Sequence, residues 1–406
     1  MDFINELNTI VRGDKKTYGE EGVHVMMRTG FDCFDYLNGE AILRDSGEKY
    51  LNLGLDYGKL VTIIGKSGSG KTTFALQLAT QMMQRYEESS MFIFDFEQGT
   101  NKERIRQITG ISEEYYDKHI TLKQKNIYTN TILKLVMQIK KLKMEHEEKL
   151  LVENKEGIKD DDGNLVKILP PTFIVVDSIA TMMPEDQADE EEIKGQMTAT
   201  GIAKVNTQLF KRIAMPCSSA NIIVIFINHI NAKIETTIVP TQAQVNYLSQ
   251  NETLPGGNAP IYLTNTLIRI TTSTKLEENK TYQIKGFETK ITLVKSRSAE
   301  SGRSVNMIYN QKEGFDNELS LLEYIKSCGK LKGAVTAFKL EGLEDHTFRL
   351  SNFKEKLSSD PELKEHFFKL GRELLEDSIR DSSKLKTIEV KENEEEIIKN
   401  SEKGEE

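Results

Sequence analysis

The chain has 406 residues, which is long enough for two or three domains and a substantial core. Its net charge of −9 excludes a surface that is basic throughout, so binding to nucleic acid would depend on local clusters of positive charge. Its three cysteines are far apart in sequence and show neither disulfide nor metal-ligand spacing, which indicates a reducing compartment. The N-terminus lacks a signal-peptide pattern and the longest apolar run, 222–227, is too short to span a membrane. We therefore expect a cytoplasmic protein without a membrane partner.

Apolar strands alternate with amphipathic helices through the first part of the chain. The predicted strands are 60–64, 91–94, 173–178 and 222–227, and the predicted helices are 72–83, 129–143 and 198–214. This alternation predicts an α/β fold with a mostly parallel central sheet. Because each strand is almost continuously apolar, both faces of the sheet should be covered by helices.

The rest of the chain divides into segments of different character. Residues 262–310 have an antiparallel pattern, the pattern after residue 315 is helical, and the last stretch is rich in Glu and Lys. We therefore predict the following organisation: an N-terminal arm or oligomerisation segment at 1–30, a core at 31–312 with a surface insertion such as a mobile hairpin at 145–168, a small helical C-terminal domain at 313–383, and a disordered acidic tail at 384–406.

A complete P-loop follows the first predicted strand and opens a predicted helix. Its glycines let successive backbone N–H groups turn toward phosphates, and the helix adds its positive N-terminal end. Lys71 would reach the β- and γ-phosphates, and Thr72 would place a hydroxyl on Mg²⁺. ATP and Mg²⁺ are thus the expected ligands, held by Gly65, Lys66, Ser67, Gly68, Ser69, Gly70, Lys71, Thr72 and Thr73.

Three further side chains stand at the ends of predicted strands, where ligands bind in open α/β sheets. Asp177 ends an apolar strand and is expected to hold Mg²⁺ together with Thr72. Glu97 can orient and deprotonate an attacking water, although a solvated glutamate would have the same spacing. His229 can sense the γ-phosphate by hydrogen bonding, although a lone histidine is more often structural.

As a set, these motifs resemble those of the RecA/RadA recombinases, and most closely the T4-type bacteriophage UvsX recombinases. The similarity covers roughly residues 28–310. The segments that carry it are Arg28-Thr29-Gly30-Phe31, the P-loop, Phe94-Asp95-Phe96-Glu97, Val175-Val176-Asp177-Ser178, Phe226-Ile227-Asn228-His229, Pro255-Gly256-Gly257-Asn258 and Leu293-Val294-Lys295-Ser296-Arg297. RecA itself carries Gln where this chain has His229, and the UvsX type carries His.

The resemblance implies roles for particular residues. Glu97 matches the catalytic carboxylate, and His229 matches the γ-phosphate sensor that links the nucleotide to DNA. Arg104 falls where the family places a side chain against the adenine ring, and a guanidinium plane can stack there. Lys295 and Arg297 match two basic positions that reach the ATP of the neighbouring subunit, although a solvated strand edge would explain them equally well from the sequence.

The resemblance also implies two DNA-binding loops, at about 184–200 and 231–257. The expected DNA contacts are Lys204, Arg212, Lys233, Gly256, Gly257 and Asn258. The first loop contains an acidic run, 185–192, that would repel a phosphate backbone. We therefore expect that run to point away from DNA as a solvated loop, or to contact a neighbouring subunit or partner.

The function that this resemblance implies is that of a DNA-dependent ATPase and recombinase. It would form helical filaments on single-stranded DNA and promote pairing and strand exchange with double-stranded DNA. Single-strand-binding and loader or mediator proteins would be its partners, in the host cytoplasm if a phage encodes it. Two alternatives remain open: a hexameric helicase or ring motor on the same core, and a non-catalytic recombinase mediator.

Overall fold

A computed structural model describes residues 24–43, 49–160, 162–185, 197–232, 252–257, 259–278, 282–334 and 337–382. The predicted arm before residue 24, most of both predicted DNA loops and the predicted tail after residue 382 lie outside these ranges.

The described residues contain one large sheet of nine strands. In chain order these are β1 (Leu60–Gly65), β2 (Ser90–Asp95), β3 (Ile120–Lys123), β4 (Thr172–Asp177), β5 (Ile222–His229), β6 (Thr266–Leu276), β7 (Gly286–Lys295), β8 (Ser304–Asn310) and β9 (Gly314–Asp316). The spatial order is β9-β8-β7-β6-β1-β5-β4-β2-β3. Strands β6, β1, β5, β4, β2 and β3 are mutually parallel, and β7, β8 and β9 extend the sheet in antiparallel fashion. The predicted α/β fold with a mostly parallel sheet is confirmed.

Helices cover both faces of this sheet. They are α1 (Asp32–Leu37), α2 (Lys71–Met83), α3 (Lys102–Thr109), α4 (Glu113–His119), α5 (Thr129–Glu145), α6 (Glu147–Leu150), α7 (Met197–Ala220), α8 (Ala259–Tyr262), α9 (Asn317–Ser327), α10 (Phe353–Ser359) and α11 (Pro361–Ser382). Val175 of β4 packs in one buried cluster with Phe74 of α2, whereas Val176 packs in another with Phe210 of α7. Burial on both faces explains why the strands are apolar without alternation. Among the helices of the described ranges, none is long and apolar enough to cross a membrane.

Short strand pairs accompany the sheet. They join Met26–Met27 to Leu55–Asp56, Glu40–Leu43 to Lys49–Asn52, Val152–Glu153 to Lys167–Ile168, and Asn231–Ala232 to Glu252–Thr253.

The insertion at 145–168 contains a hairpin that is tied to the core. The carboxylate of Glu156 is only 7% exposed and lies 2.5 Å from the Arg85 guanidinium. It also accepts a hydrogen bond from the backbone N–H of Arg28 at 3.2 Å. The hydroxyl of Tyr86 accepts a further hydrogen bond from the hairpin backbone. These contacts indicate an anchored hairpin instead of the mobile one that its charged sequence suggested.

The C-terminal segment is helical at α9, α10 and α11, as predicted. A three-stranded antiparallel sheet lies between the first two of these helices: β10 (Leu331–Ala334), β11 (Ala337–Leu340) and β12 (Leu343–Phe348). The sequence pattern did not predict these strands, because they are short and mostly half-buried or exposed and so lack a clear apolar alternation. Phe353 and Phe367 belong to the same buried cluster as Phe74 of α2, so this segment packs on the core.

Candidate functional site

The carboxyl ends of the central parallel strands bring the predicted nucleotide-site residues together. Asp177, at the end of β4, pairs in register with Asp95 of β2, and His229 of β5 pairs with Gly65 of β1. Glu97 follows β2 by two residues. The P-loop, both carboxylates and the histidine therefore share one edge of the sheet, as the sequence predicted.

The P-loop has a backbone that requires glycine. Gly68 and Gly70 have φ angles of +75° and +88°, in the left-handed region. A Cβ at Gly65 would lie 2.5 Å from the carbonyl oxygen of Ile270, which is too close. Space is open beside Gly68, so the loop has room for a ligand on its outer side.

Polar groups of the P-loop are arranged as a phosphate ligand needs. The Ser69 side chain is buried, and its Oγ has no hydrogen-bond partner within the described part of the chain. Lys71 Nζ donates to the Lys66 carbonyl at 2.8 Å, which holds the ammonium over the loop. Burial lowers the pKa of Lys71, against the nearby carboxylates of Asp177 and Glu97, which raise it. An incoming phosphate would replace lost hydration around this ammonium, so these residues fit ATP.

Thr72 and Asp177 form the pair expected to hold Mg²⁺. Thr72 Oγ1 donates to Asp177 Oδ2 at 2.6 Å, so the hydroxyl and the carboxylate already lie side by side. Burial raises the pKa of Asp177 to about 6; the hydrogen bond from Thr72 opposes this, and the charges of Glu97 and Asp95 add to it. A buried carboxylate with a neighbouring hydroxyl is an oxygen-donor set that suits Mg²⁺.

Glu97 is held by two donors on one oxygen. Its Oε1 accepts a hydrogen bond from Ser178 Oγ at 2.6 Å and another from His229 Nε2 at 2.8 Å. Partial burial raises the pKa of Glu97, but these two hydrogen bonds and the charges of His229 and Lys71 together lower it below its usual value. The carboxylate is thus ionised at neutral pH, as a general base must be. Ser178 had no assigned role from sequence, although it directly follows Asp177.

Asn228 is a second residue that the sequence reasoning left without a role. Its Oδ1 accepts the backbone N–H of His229 at 2.9 Å, and its Nδ2 donates to the Pro255 carbonyl at 2.9 Å. The side chain is fully buried. It therefore connects the strand end that carries His229 to the C-terminal end of the second predicted DNA loop.

Lys295 does not lie at this chain's own P-loop, and Arg297 is exposed two residues further on. Lys295 pairs with Leu267 of β6, which pairs with Thr62, three residues before Gly65. At about 3.3 Å per residue and 4.8 Å per strand spacing, this puts Lys295 on the order of 10 Å from Gly65 in each direction. Its Nζ instead donates at 3.1, 2.8 and 2.8 Å to the carbonyls of Ile261, Tyr262 and Thr264, around the end of α8. Lys295 therefore does not contact the P-loop of its own chain in this structure, and a role in a neighbouring subunit remains a prediction.

Arg104 lies beside the turn between β8 and β9. Its guanidinium donates to the carbonyls of Gln311 and Lys312 at 2.9 and 3.0 Å. Strand β9, which follows this turn and contains Phe315, lies over the P-loop, because a Cβ at Gly70 would be 3.1 Å from the Phe315 ring. Thr73 is buried at the start of α2. Stacking of Arg104 on adenine remains a prediction.

The predicted DNA contacts are only partly within the described residues. Lys233 and Asn258 lie outside them. Lys204 and Arg212 are exposed on α7, eight residues or about 12 Å apart along the helix. Gly257 packs against the same helix near Lys204, since its Cβ would lie 2.9 Å from Ala203 Cβ. DNA binding by these residues remains a prediction, with Lys204 the closer of the two cations to the loop.

The chain is similar in sequence to RecA proteins. Residues 134–316 match the RecA N-terminal domain, a stretch that includes Asp177, His229 and Lys295 but not the P-loop. Protein RecA from Staphylococcus aureus strains JH9 and Newman is 24% identical over 384 residues, covering 92% of this chain and 93% of that protein. The similarity to RecA proteins thus extends over most of the chain. The crystal structure of the RadB recombinase is also similar, at 17% identity and a TM-score of 0.40, over 65% of this chain and 92% of that one.

Proposed function

We propose that this protein is an ATP-dependent DNA recombinase of the T4-type bacteriophage UvsX kind, acting in the host cytoplasm. It assembles on single-stranded DNA as a helical filament and promotes homologous pairing and strand exchange with double-stranded DNA. The observation that carries this proposal is the contact between His229 Nε2 and Glu97 Oε1 at 2.8 Å. A nucleotide-sensing histidine is bonded to the water-activating carboxylate, and Asn228 extends the link to the second DNA loop.

The residues of the site divide the hydrolytic work. The Glu97 carboxylate orients a water and takes its proton as the water oxygen attacks the γ-phosphorus of ATP, and ADP leaves as phosphate forms. Ser178 and His229 hold the carboxylate in place. Lys71 binds the phosphates. Thr72 and Asp177 would hold Mg²⁺, which would supply positive charge near the transferring phosphoryl group.

A second copy of the chain completes the site. Lys295 lies away from its own P-loop, which suits a contact of Lys295 and the nearby Arg297 with the nucleotide of the adjacent subunit. Cations supplied across such an interface neutralise charge on the transferring phosphoryl group. Nucleotide binding then stabilises subunit packing and DNA binding together, and hydrolysis releases both. Single-strand-binding and loader proteins are the accessory partners that such a filament would use.

The central test is ATP turnover with and without single-stranded DNA. Lys71→Ala should abolish turnover. Glu97→Gln should lower turnover by about 10²–10⁴-fold, the range for loss of a general base, while retaining ATP and stable DNA complexes. The exposed Glu103 on α3 gives a matched control, and Glu103→Gln should behave as the parent. Normal turnover in Glu97→Gln would show that another group activates the water.

The form of the assembly separates the alternatives. Electron microscopy with DNA and a non-hydrolysable ATP analogue should show helical filaments; closed rings would favour a helicase or ring motor. Strand exchange between homologous DNA molecules should require ATP. If single-stranded DNA does not stimulate turnover and no strand exchange occurs, the chain acts as a mediator for another recombinase.

A further inference from the structure

Asn206 is a polar residue at a core position of α7. The helix faces the sheet with a stripe of buried side chains at helical spacing: Asn206, Leu209, Phe210, Ile213 and Cys217. Asn206 is 0% exposed, as fully buried as Phe210 one turn later. The helical period predicts an apolar residue at this position, so asparagine here is a departure that packing does not explain.

The carboxamide of Asn206 is left unsatisfied. Neither its Oδ1 nor its Nδ2 has a hydrogen-bond partner within the ranges that the structure describes. A buried polar group without a partner destabilises the folded state, and an apolar side chain of similar shape would avoid that cost. Departures of this kind concentrate at functional sites, where a different state of the protein supplies the missing partner.

The neighbour of this carboxamide is the C-terminal end of the second predicted DNA loop. A Cβ at Gly256 would lie 3.3 Å from Asn206 Nδ2 and 2.5 Å from the Ile179 side chain, so the glycine backbone rests directly on them. Both Gly256 and Gly257 have a φ of +84°, a conformation that glycine adopts freely. Glycine at both positions therefore lets the backbone of this turn approach α7 and the Asn206 carboxamide closely.

The other side of residues 255–257 is hydrogen-bonded to the end of β5, the strand that carries His229. The Pro255 carbonyl accepts a hydrogen bond from Asn228 Nδ2, and Asn228 also binds the backbone of His229. Residues 255–257 thus lie between two buried carboxamides: that of Asn228, which is hydrogen-bonded, and that of Asn206, which has no hydrogen-bond partner among the described residues. A shift of His229 would move Pro255 and carry the two glycines across Asn206.

We propose that Asn206 is a positioning residue for single-stranded DNA, an inference that rests on the proposed recombinase function. In the DNA-bound state its carboxamide hydrogen-bonds the backbone of Gly256 and Gly257 and fixes that turn for contact with a DNA phosphate. In the free protein the carboxamide lacks these bonds. Asn206 itself is too deeply buried to touch DNA, so it acts only through the turn.

The test replaces Asn206 with an apolar residue of similar size. Asn206→Leu should raise the unfolding temperature of the DNA-free protein, because it removes an unsatisfied buried amide. It should weaken binding to a single-stranded oligonucleotide, measured by fluorescence anisotropy with a non-hydrolysable ATP analogue, by about tenfold or more. The DNA concentration that half-stimulates ATP turnover should rise equally, and turnover without DNA should stay unchanged.

Thr289→Val is the matched control. Thr289 is also fully buried with an unpartnered hydroxyl in the described structure, but it lies on β7, away from the loop. The control should alter stability without altering DNA binding. If Asn206→Leu does not fold, Asn206→Ala is measured in the same way. Parental DNA affinity in a folded Asn206 variant, or equal weakening in the control, would overturn the proposal. A parent that does not bind single-stranded DNA would instead refute the recombinase function, and the inference would fall with it.

Discussion

Replacing Asp177 by asparagine should stabilise the nucleotide-free protein while it removes Mg²⁺-dependent turnover. Burial raises the pKa of Asp177 from 3.8 to about 6. The shift of about two pKa units corresponds to about 3 kcal/mol of destabilisation of the ionised form at neutral pH. Asparagine carries no charge, and its oxygen can still accept the hydrogen bond from Thr72, so most of this cost should disappear.

The gain in folding stability from Asp177→Asn should increase as the pH rises. Because the pKa of Asp177 is raised in the folded state, its favourable contribution is complete below pH 3.8 and is lost as the pH rises through about 6. The advantage of Asp177→Asn should therefore be about 3 kcal/mol at pH 7.5, about half of that at pH 5, and absent in stronger acid.

Urea unfolding in the presence of a chelator measures this difference directly at the two pH values. Asp162→Asn, at an exposed position in the insertion, is the matched control and should change stability little at either pH. A variant of Asp177 that is less stable than the parent at pH 7.5 would refute the reasoning. That result would mean that the Asp177 carboxylate stabilises the protein in the absence of Mg²⁺, whereas our reasoning requires that it destabilise the protein there.

Two further predictions concern contacts outside the nucleotide site. The hydrogen bonds from His24 to Asp56 and Glu40 raise its pKa to about 9, so its stabilisation is complete below pH 6.5 and is lost as the pH rises through 9. His24→Gln should then cost about 1 kcal/mol at pH 6, a value discounted for its exposure, and nothing above pH 10; a pH-independent cost in urea titrations would contradict this. Glu156→Ala breaks the contact with Arg85 and should loosen the hairpin at 145–168 by about 1–3 kcal/mol, seen as faster amide hydrogen exchange confined to that hairpin. Unchanged exchange there would show that other contacts anchor it.

The sequence predicted which residues gather beside the P-loop at one end of the sheet, because the signals for them are local. A glycine-rich loop between strand and helix, and a carboxylate at the end of an apolar strand, are each read within a dozen residues. The contact of Ser178 with Glu97 could not be predicted in this way. It spans 81 residues and depends on β4 lying beside β2, and strand order is not recorded in any local pattern.

Other features escaped prediction for different reasons. The bonds of Lys295 to the end of α8 depend on how an antiparallel strand is added to the parallel sheet, which the periodicity of either segment does not specify. The anchoring of Glu156 could not be predicted, because the charged sequence of the hairpin is typical of a solvated loop. The sequence does not show that Arg85 is its partner. Asn206 is different, because a polar residue in the apolar stripe of a predicted helix is visible in the sequence. The pattern alone gave it no role, since its burial and its unpartnered carboxamide are known only from the structure.

The separation of Lys295 from the P-loop of its own chain has a consequence for counting active sites. If each nucleotide needs the P-loop of one subunit and Lys295 of the next, an open row of n subunits contains n − 1 complete sites, and an isolated subunit contains none. ATP turnover per subunit would then rise with the length of the row, because the one incomplete site is a larger fraction of the sites in a short row. A subunit that lacks Lys295 would stop ATP turnover at the site that it shares with the neighbour on one side. Its own P-loop would still form a complete site with Lys295 of the neighbour on the other side. The loss would therefore affect only one direction along the row.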